Sequence, residues 1–186
     1  WPTGAGVRFR LWAPAASAVE LLLNGAPHPM RQMTDGWHEL AVASARSGDA
    51  YRFRACGLEV PDPASRAQAG DVHGHSIVVD PGSYAWRHGD WAGRPWHETV
   101  LYELHVGTFS PEGNFDGARR RLRHLAGLGV TAVELMPIGQ WSGTRNWGYD
   151  GTLPFAPHSA YGHPDELKAL VDEAHGLGLT VFLDVV

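Results

Sequence analysis

The feature that most constrains this chain is a change of hydrophobic period near its middle. From residue 7 to about residue 79, apolar residues recur at every second position, as in Val7, Phe9 and Leu11 set against Arg8 and Arg10, and again in Val19, Leu21 and Leu23. A period of two places alternate side chains on opposite faces of an extended backbone, so these segments predict half-buried strands. Turn-forming residues separate them: Ala13-Pro14, Asn24-Gly25, Asp35-Gly36 and Ser47-Gly48-Asp49. Short strands at that spacing predict an antiparallel sandwich over residues 1–80.

After Glu98 short apolar runs alternate with helical patterns. Residues 100–106 predict a buried strand, with His105 inside it as a core histidine rather than a general base. Ala118, Leu122, Leu125 and Leu128 share one helical face, and Gly129 ends that helix. A second strand over residues 131–136 stops at Pro137. A loop of roughly 25 residues follows, longer than an ordinary strand-to-helix connection, and ordered loops of that length usually carry function. Pro164, the first-turn carboxylates Asp165 and Glu166, and the apolar face Leu167, Leu170, Val171 and Ala174 predict the next helix, closed by Gly176 and Gly178. Residues 179–186 predict a third strand, apolar except for Thr180 and Asp184. The second half therefore reads β-α-β-α-β. Between the halves, residues 81–99 are rich in Gly, Pro and Trp and predict a connection that Trp86, Trp91 and Trp96 pin to its neighbours.

Composition excludes several classes of partner. The 186 residues are 44% hydrophobic, enough for a sizeable core, and carry a formal net charge of −5 with no extended basic surface, so nucleic acid is not an expected partner. No run approaches the roughly 20 apolar residues of a membrane span, so no membrane is expected either. No charged-then-apolar leader pattern opens the chain, which leads us to expect a cytoplasmic protein. The single cysteine, Cys56, follows the alternating run Tyr51, Phe53, Ala55 and reads as a strand-end residue, not a nucleophile. His73 and His75 form a His-x-His pair with no third ligand at suitable spacing, and read as structural.

Specific motifs add a resemblance. Phe9-Arg10-Leu11-Trp12-Ala13-Pro14, with residues 19–23 and Asn24-Gly25, resembles the N-terminal β-sandwich that precedes the barrel in branching, debranching and trehalohydrolase enzymes. Residues 102–109, Tyr-Glu-Leu-His-Val-Gly-Thr-Phe, and residues 129–137, Gly-Val-Thr-Ala-Val-Glu-Leu-Met-Pro, resemble the start of the α-amylase-clan barrel. The most specific stretch is Asn146-Trp147-Gly148-Tyr149-Asp150-Gly151, continuing through Phe155-Ala156-Pro157 to Tyr161-Gly162. Branching enzymes typically carry Gln where Asp150 stands and debranching enzymes Asn. Asp here, like Thr108-Phe109-Ser110-Pro111-Glu112-Gly113, resembles the malto-oligosyltrehalose trehalohydrolases of glycoside hydrolase family 13.

The resemblance implies a multidomain β plus α/β fold: an immunoglobulin-like sandwich of the early-set, glucan-binding type over residues 1–80, a linker over 81–99, and, over 100–186, the first three strands and two helices of a (β/α)8 TIM barrel. It implies hydrolysis of the α-1,4 bond next to a terminal trehalosyl unit of a maltooligosaccharide substrate, with no metal or organic cofactor. The mechanism would be retaining, with nucleophile and acid carboxyls roughly 5 Å apart. The family places its nucleophile Asp after the fourth strand, its acid Glu after the fifth and a further Asp after the seventh. Asp184-Val185-Val186 matches only the start of the family's Asp-Val-Val-x-Asn-His motif. A fragment is therefore expected, without hydrolase activity and with a second half that folds poorly or aggregates.

For individual residues the resemblance implies that Tyr149 stacks on the sugar ring where cleavage occurs. Asp150 and Trp147 either contact sugar hydroxyls and shape the pocket or brace the loop; both readings stay open. Asp184 is implied to hydrogen-bond around the sugar site, its charged partners lying outside these residues. Glu103 and Glu134 resemble the paired carboxylates of a glycosidase, but the family match makes both structural. Trp12, Trp37 and Trp86 suit either a glucan platform or packing, with core packing expected of the first two. The alternatives are a glycogen branching enzyme, against which Asp150 argues, and a stand-alone, non-catalytic glucan-binding module.

Overall fold

Alternation in the first half folds as two packed antiparallel sheets. A computed structural model describes all 186 residues, and the chain divides into two units, Trp1–Pro81 and Gly82–Val186. In the first unit one sheet has the order β1-β2-β6-β5, built from β1 (Pro2–Thr3), β2 (Gly6–Trp12), β5 (Arg31–Gln32) and β6 (Trp37–Val42). The other runs β4-β3-β7-β10-β9, with β8 on β7; its strands are β3 (Val19–Leu23), β4 (Ala26–Pro29), β7 (Ala50–Ala55), β8 (Leu58–Val60), β9 (Gln68–Ala69) and β10 (His75–Ile77). Val7, Phe9 and Leu11 of β2, Val19, Leu21 and Leu23 of β3, and Tyr51 and Phe53 of β7 fill the core. Asn24 and Gly25 take φ of 49° and 84°, the left-handed pair that a two-residue turn between β3 and β4 needs.

The same alternation corrects the expectation for two tryptophans. Burying Val7, Phe9 and Leu11 turns Arg8, Arg10 and Trp12 to the other face of β2. Trp12 is 61% exposed and its indole N–H donates to the Asp35 carbonyl at 2.9 Å. Trp37, its register partner on β6, is half-buried under the Arg10 guanidinium, 4.3 Å from the ring centroid. Neither belongs to the core.

The second unit is a three-stranded parallel sheet, β11-β12-β15, with helices on one face. Its elements are β11 (Leu101–Leu104), α1 (Val106–Phe109), α2 (Phe115–Gly127), β12 (Ala132–Leu135), β13 (Gly139–Gln140), β14 (Leu153–Pro157), α3 (Pro164–Gly176) and β15 (Thr180–Leu183). Leu104, Val133 and Leu135 from the strands pack with Ala118, Leu122 and Leu125 of α2 and Leu170 and Ala174 of α3. In register across the strands, Glu103 stands beside Glu134, and Glu134 beside Phe182. Together the units form a β-sandwich followed by the opening strands of a TIM barrel.

Boundaries differ from expectation in ways that matter for the site. The first parallel strand ends at Leu104, so His105 lies beyond it, not inside a core strand. A short helix, α1, follows at once. Helix α2 ends at Gly127, and Leu128, expected on its buried face, is 66% exposed at the C-cap. Asn114 caps α2 by accepting from the Gly117 N–H at 2.8 Å, and His163 with Glu166 forms a reciprocal cap on α3.

Residues 82–99 belong to the second unit and are fastened to α3. Asp172, fully buried, accepts from the backbone N–H groups of Arg87 and His88, from Arg87 Nε at 3.0 Å and from Tyr84 Oη at 3.2 Å. Trp91 stacks on His175 with centroids 4.9 Å apart, and Trp96 meets Phe182 edge-on. Trp86 is exposed beside Tyr84.

Candidate functional site at the carboxyl ends of the parallel strands

In a parallel sheet covered by helices, strands end at one rim, and that rim is where side chains converge on a ligand. The residues there are His105 after β11, Pro137 after β12 and Asp184 after β15. The long loop from β12 to α3 is not structureless. Within it β13 pairs with β14 as a bulged hairpin; β13 has only two residues, and β14, with two prolines in five residues, does not alternate.

Between these two strands, residues 146–151 bridge all three strand ends. His105 Nε2 lies 2.7 Å from the Asn146 carbonyl oxygen. Gly148 sits over Pro137 with φ +105°; any Cβ there would collide with the Pro137 carbonyl. Tyr149 Oη donates to Asp184 Oδ2 at 2.7 Å. Asn146 stitches the turn from within, its Oδ1 accepting from the Gly148 N–H at 2.6 Å and its Nδ2 donating to Asp150 Oδ2 at 2.7 Å. The motif therefore needs an amide at 146 and glycine at 148.

The structure brings Tyr149 and Asp184 together, so that Asp184 has an uncharged hydrogen-bond partner among these residues. The bond to Asp184 raises the Tyr149 phenol above its ordinary value; burial and the negative charges of Asp184, Glu103 and Glu134 push the same way. Tyr149 is 46% and Trp147 75% exposed, so both rings keep open surface at the rim. Asp150 is held within the loop by Asn146. Glu103 is exposed and Glu134 half-buried, both on strands short of the rim.

Two residues of the rim carry little signal in hydrophobic pattern: His105 continues an apolar run that reads as strand, and Asn146 is a polar residue in a loop without period. The signal for Asn146 was its place two residues before a glycine, where Asn side chains bond the backbone.

Nowhere do three or more His, Cys, Asp or Glu side chains gather as a metal site would require. His75 pairs with Ala69 in β10, and the His73 carbonyl accepts from Arg52. No helix is long and apolar enough to cross a membrane. In the first unit a cleft of about 300 Å³ is lined by Trp1, Arg8, Phe9, Tyr51, Asp62 and Arg66, among others. Tyr149, Asp150, Trp147 and Asp184 do not line it.

Comparison with known proteins places both units. The family described as alpha amylase, catalytic domain, matches residues 65–186. The family described as carbohydrate-binding module 48, the isoamylase N-terminal domain, matches residues 2–83. A malto-oligosyltrehalose trehalohydrolase from Deinococcus radiodurans is 46% identical over 185 residues, covering 100% of this chain and 31% of its own length. One from Saccharolobus solfataricus is 43% identical, covering 97% and 32%. A 1,4-alpha-glucan branching enzyme from Dechloromonas aromatica is 34% identical, covering 97% and 33%. Among solved structures, a Salmonella typhimurium protein described as an alpha amylase superposes with TM-score 0.97 at 53% identity, covering 100% of this chain and 32% of its own. The apo pullulanase from Paenibacillus barengoltzii gives 0.82 at 30% identity, covering 96% and 35%. The chain spans about a third of the length of the curated relatives it matches.

Proposed function

The chain belongs to the α-amylase family, and from that membership we propose that it forms part of a retaining glycoside hydrolase that cleaves the α-1,4 bond next to the terminal trehalosyl unit of a maltooligosyltrehalose, releasing trehalose. The observation that carries this reading is the Tyr149–Asp184 pair at the rim, presented by the Asn146–Gly151 motif. A partly exposed aromatic ring offers the apolar C–H surface of a glucose unit a stacking partner, and the carboxylate beside it accepts hydrogen bonds from sugar hydroxyls. Trp147 adds a second exposed ring. Asp150 braces the loop, with one carboxylate oxygen committed to Asn146. The similarity to named trehalohydrolases supports the choice of substrate.

The division into a sandwich over residues 1–80, a linker over 81–99 and a barrel start over 100–186 is part of this proposal, as are a maltooligosaccharide partner and a cytoplasmic location. So is the inactivity of these 186 residues alone. Retaining cleavage needs two carboxyls flanking one anomeric carbon, whereas the three strand ends carry His105, Pro137 and Asp184. Incubating the purified chain with trehalosyl-maltooligosaccharide tests that point, and trehalose release above background would overturn it.

The branching-enzyme reading keeps support from the Dechloromonas aromatica relative. Assaying the longer protein that carries these residues decides between the two. Free trehalose from maltotriosyltrehalose is expected; new α-1,6 branches on amylose, with no trehalose, would replace our reading.

A further inference from the structure

We propose that His105 is a positioning residue: its Nε2–H holds the Asn146 carbonyl and thereby sets the loop that carries Tyr149 to the sugar. Backbone geometry places His105 one residue past β11, at the N-cap of α1 with φ −97° and ψ 116°, yet its side chain caps nothing in that helix. The ring turns instead toward the β12–α3 loop. Nε2 is 2.7 Å from the Asn146 carbonyl and 3.1 Å from Tyr161 Oη, and Nδ1 is 3.2 Å from Thr108 Oγ1.

These partners define the proton positions. A carbonyl oxygen only accepts, so Nε2 must carry the hydrogen. In the neutral ring Nδ1 accepts from the Thr108 hydroxyl; in the imidazolium it donates to the same oxygen. The bond to Asn146 persists in both charge states, and the nitrogen that faces the loop has no free lone pair. His105 therefore holds and does not act as a base.

The ring itself is immobilised. Tyr161, buried and packed edge-on against Phe115, Trp141 and His158, meets the imidazole at 86°. Burial pushes the Tyr161 phenol up to about 12, so it stays neutral beside the imidazole. Gly107 admits the pair: a Cβ there would stand 2.9 Å from His105 Cε1 and 3.1 Å from Tyr161 Cε1. From this anchor the chain of contacts runs through the Asn146 backbone to the turn that its side chain closes, and so to Tyr149 and Asp184. A loop fixed at β11, seated on β12 and tied to β15 loses its first attachment when the imidazole donor is removed.

The consequence for sugar binding rests on Tyr149 being the sugar contact, whereas the positioning of Tyr149 does not, and the experiment separates them. The whole chain is labelled with 3-fluorotyrosine, and the Tyr149 fluorine signal is assigned with Tyr149→Phe. Asp184→Ala supplies the reference position for a ring freed from its carboxylate. In His105→Met, which fills similar volume without a donor, the signal is expected to move to that reference. His105→Gln, whose side-chain amide donates, is expected to restore the original position, and His105→Glu, of the same shape without an N–H, is expected not to. An unmoved Tyr149 signal in folded His105→Met, or loss of the folded state in both the Met and Gln variants, would overturn the proposal. Maltoheptaose titrations of the same samples give the second readout. Weakened binding in His105→Met but not in His105→Gln is expected. If Tyr149→Ala leaves sugar binding unchanged while the fluorine result holds, the sugar contact fails and the positioning stands.

Discussion

Tyr149 and Asp184, 35 residues apart, share a 2.7 Å hydrogen bond that joins the loop after the second parallel strand to the end of the third. The bond anchors the Tyr149 hydroxyl while the residue stays 46% exposed, which leaves ring surface for stacking on a sugar. Tyr149→Ala should lower maltoheptaose affinity about tenfold, in line with the value of an aromatic stacking contact. Tyr149→Phe keeps the ring and should cost much less. Calorimetric titration of the two variants checks the difference, and equal losses would assign the effect to the hydroxyl.

Gly148 is the point where that loop rests on the β12 end. With φ at +105° and the Pro137 carbonyl where a Cβ would stand, alanine must either displace the proline or move the turn. Gly148→Ala should destabilise the second unit by about 1–3 kcal/mol and release Tyr149 from Asp184. Thermal melts give the first effect. The second appears as a Tyr149 phenol that titrates nearer its ordinary value of 10.0, since the bond to Asp184 is the largest cause of its elevation.

Asp172 ties residues 84–88 to α3. Burial pushes its carboxyl up, but the Arg87 side chain and the N–H groups of Arg87 and His88 outweigh burial and hold it well below 3.8. An acid depressed in the folded state stabilises in full above its unfolded value and loses that contribution as the pH falls below it. The second unit should therefore weaken on acidification from about pH 4 downward. Asp172→Ala leaves two backbone N–H groups without their acceptor and should cost about 3 kcal/mol at neutral pH. In the first unit Asp62 behaves oppositely. Burial raises its carboxyl despite the Tyr51 hydroxyl, so its contribution is present at low pH and declines as pH rises through the raised value. Denaturant melts of Asp172→Ala and Asp62→Asn across the acid range should change the pH slope in opposite directions.

How much of this was legible in sequence depended on what does the burying. The sandwich strands are legible because Val7, Phe9 and Leu11 face a core while their neighbours face solvent, and the same alternation, not the size of the side chain, puts Trp12 outside. The parallel strands were legible as apolar runs, but their last residues were not, because hydrophobicity does not mark where a hydrogen-bond ladder stops. His105 and Leu128 both continue an apolar pattern one residue past the point where the backbone bonding of their element ends. Asp172 was hidden for another reason: residues 82–99, which cover it, have no period of their own. At the site, Tyr149 and Asp184 were each readable from a motif, whereas their mutual bond needed the strand register that sets Leu135 beside Leu183.

His38 offers a test of the first unit that is independent of any ligand. It lies on β6 opposite Leu11, is fully buried, and neither ring nitrogen has a hydrogen-bond partner. Two polar nitrogens taken out of water without compensation work against folding, and replacing such a group with an apolar one of similar size removes that penalty. His38→Leu should therefore raise the stability of the sandwich by about 1 kcal/mol, read as a higher midpoint in urea with an unchanged slope. His38→Asn, smaller and still polar, should lower it, since it leaves a cavity beside an equally unpaired amide. A fall in stability for His38→Leu would mean that the imidazole is held by a partner these contacts do not contain.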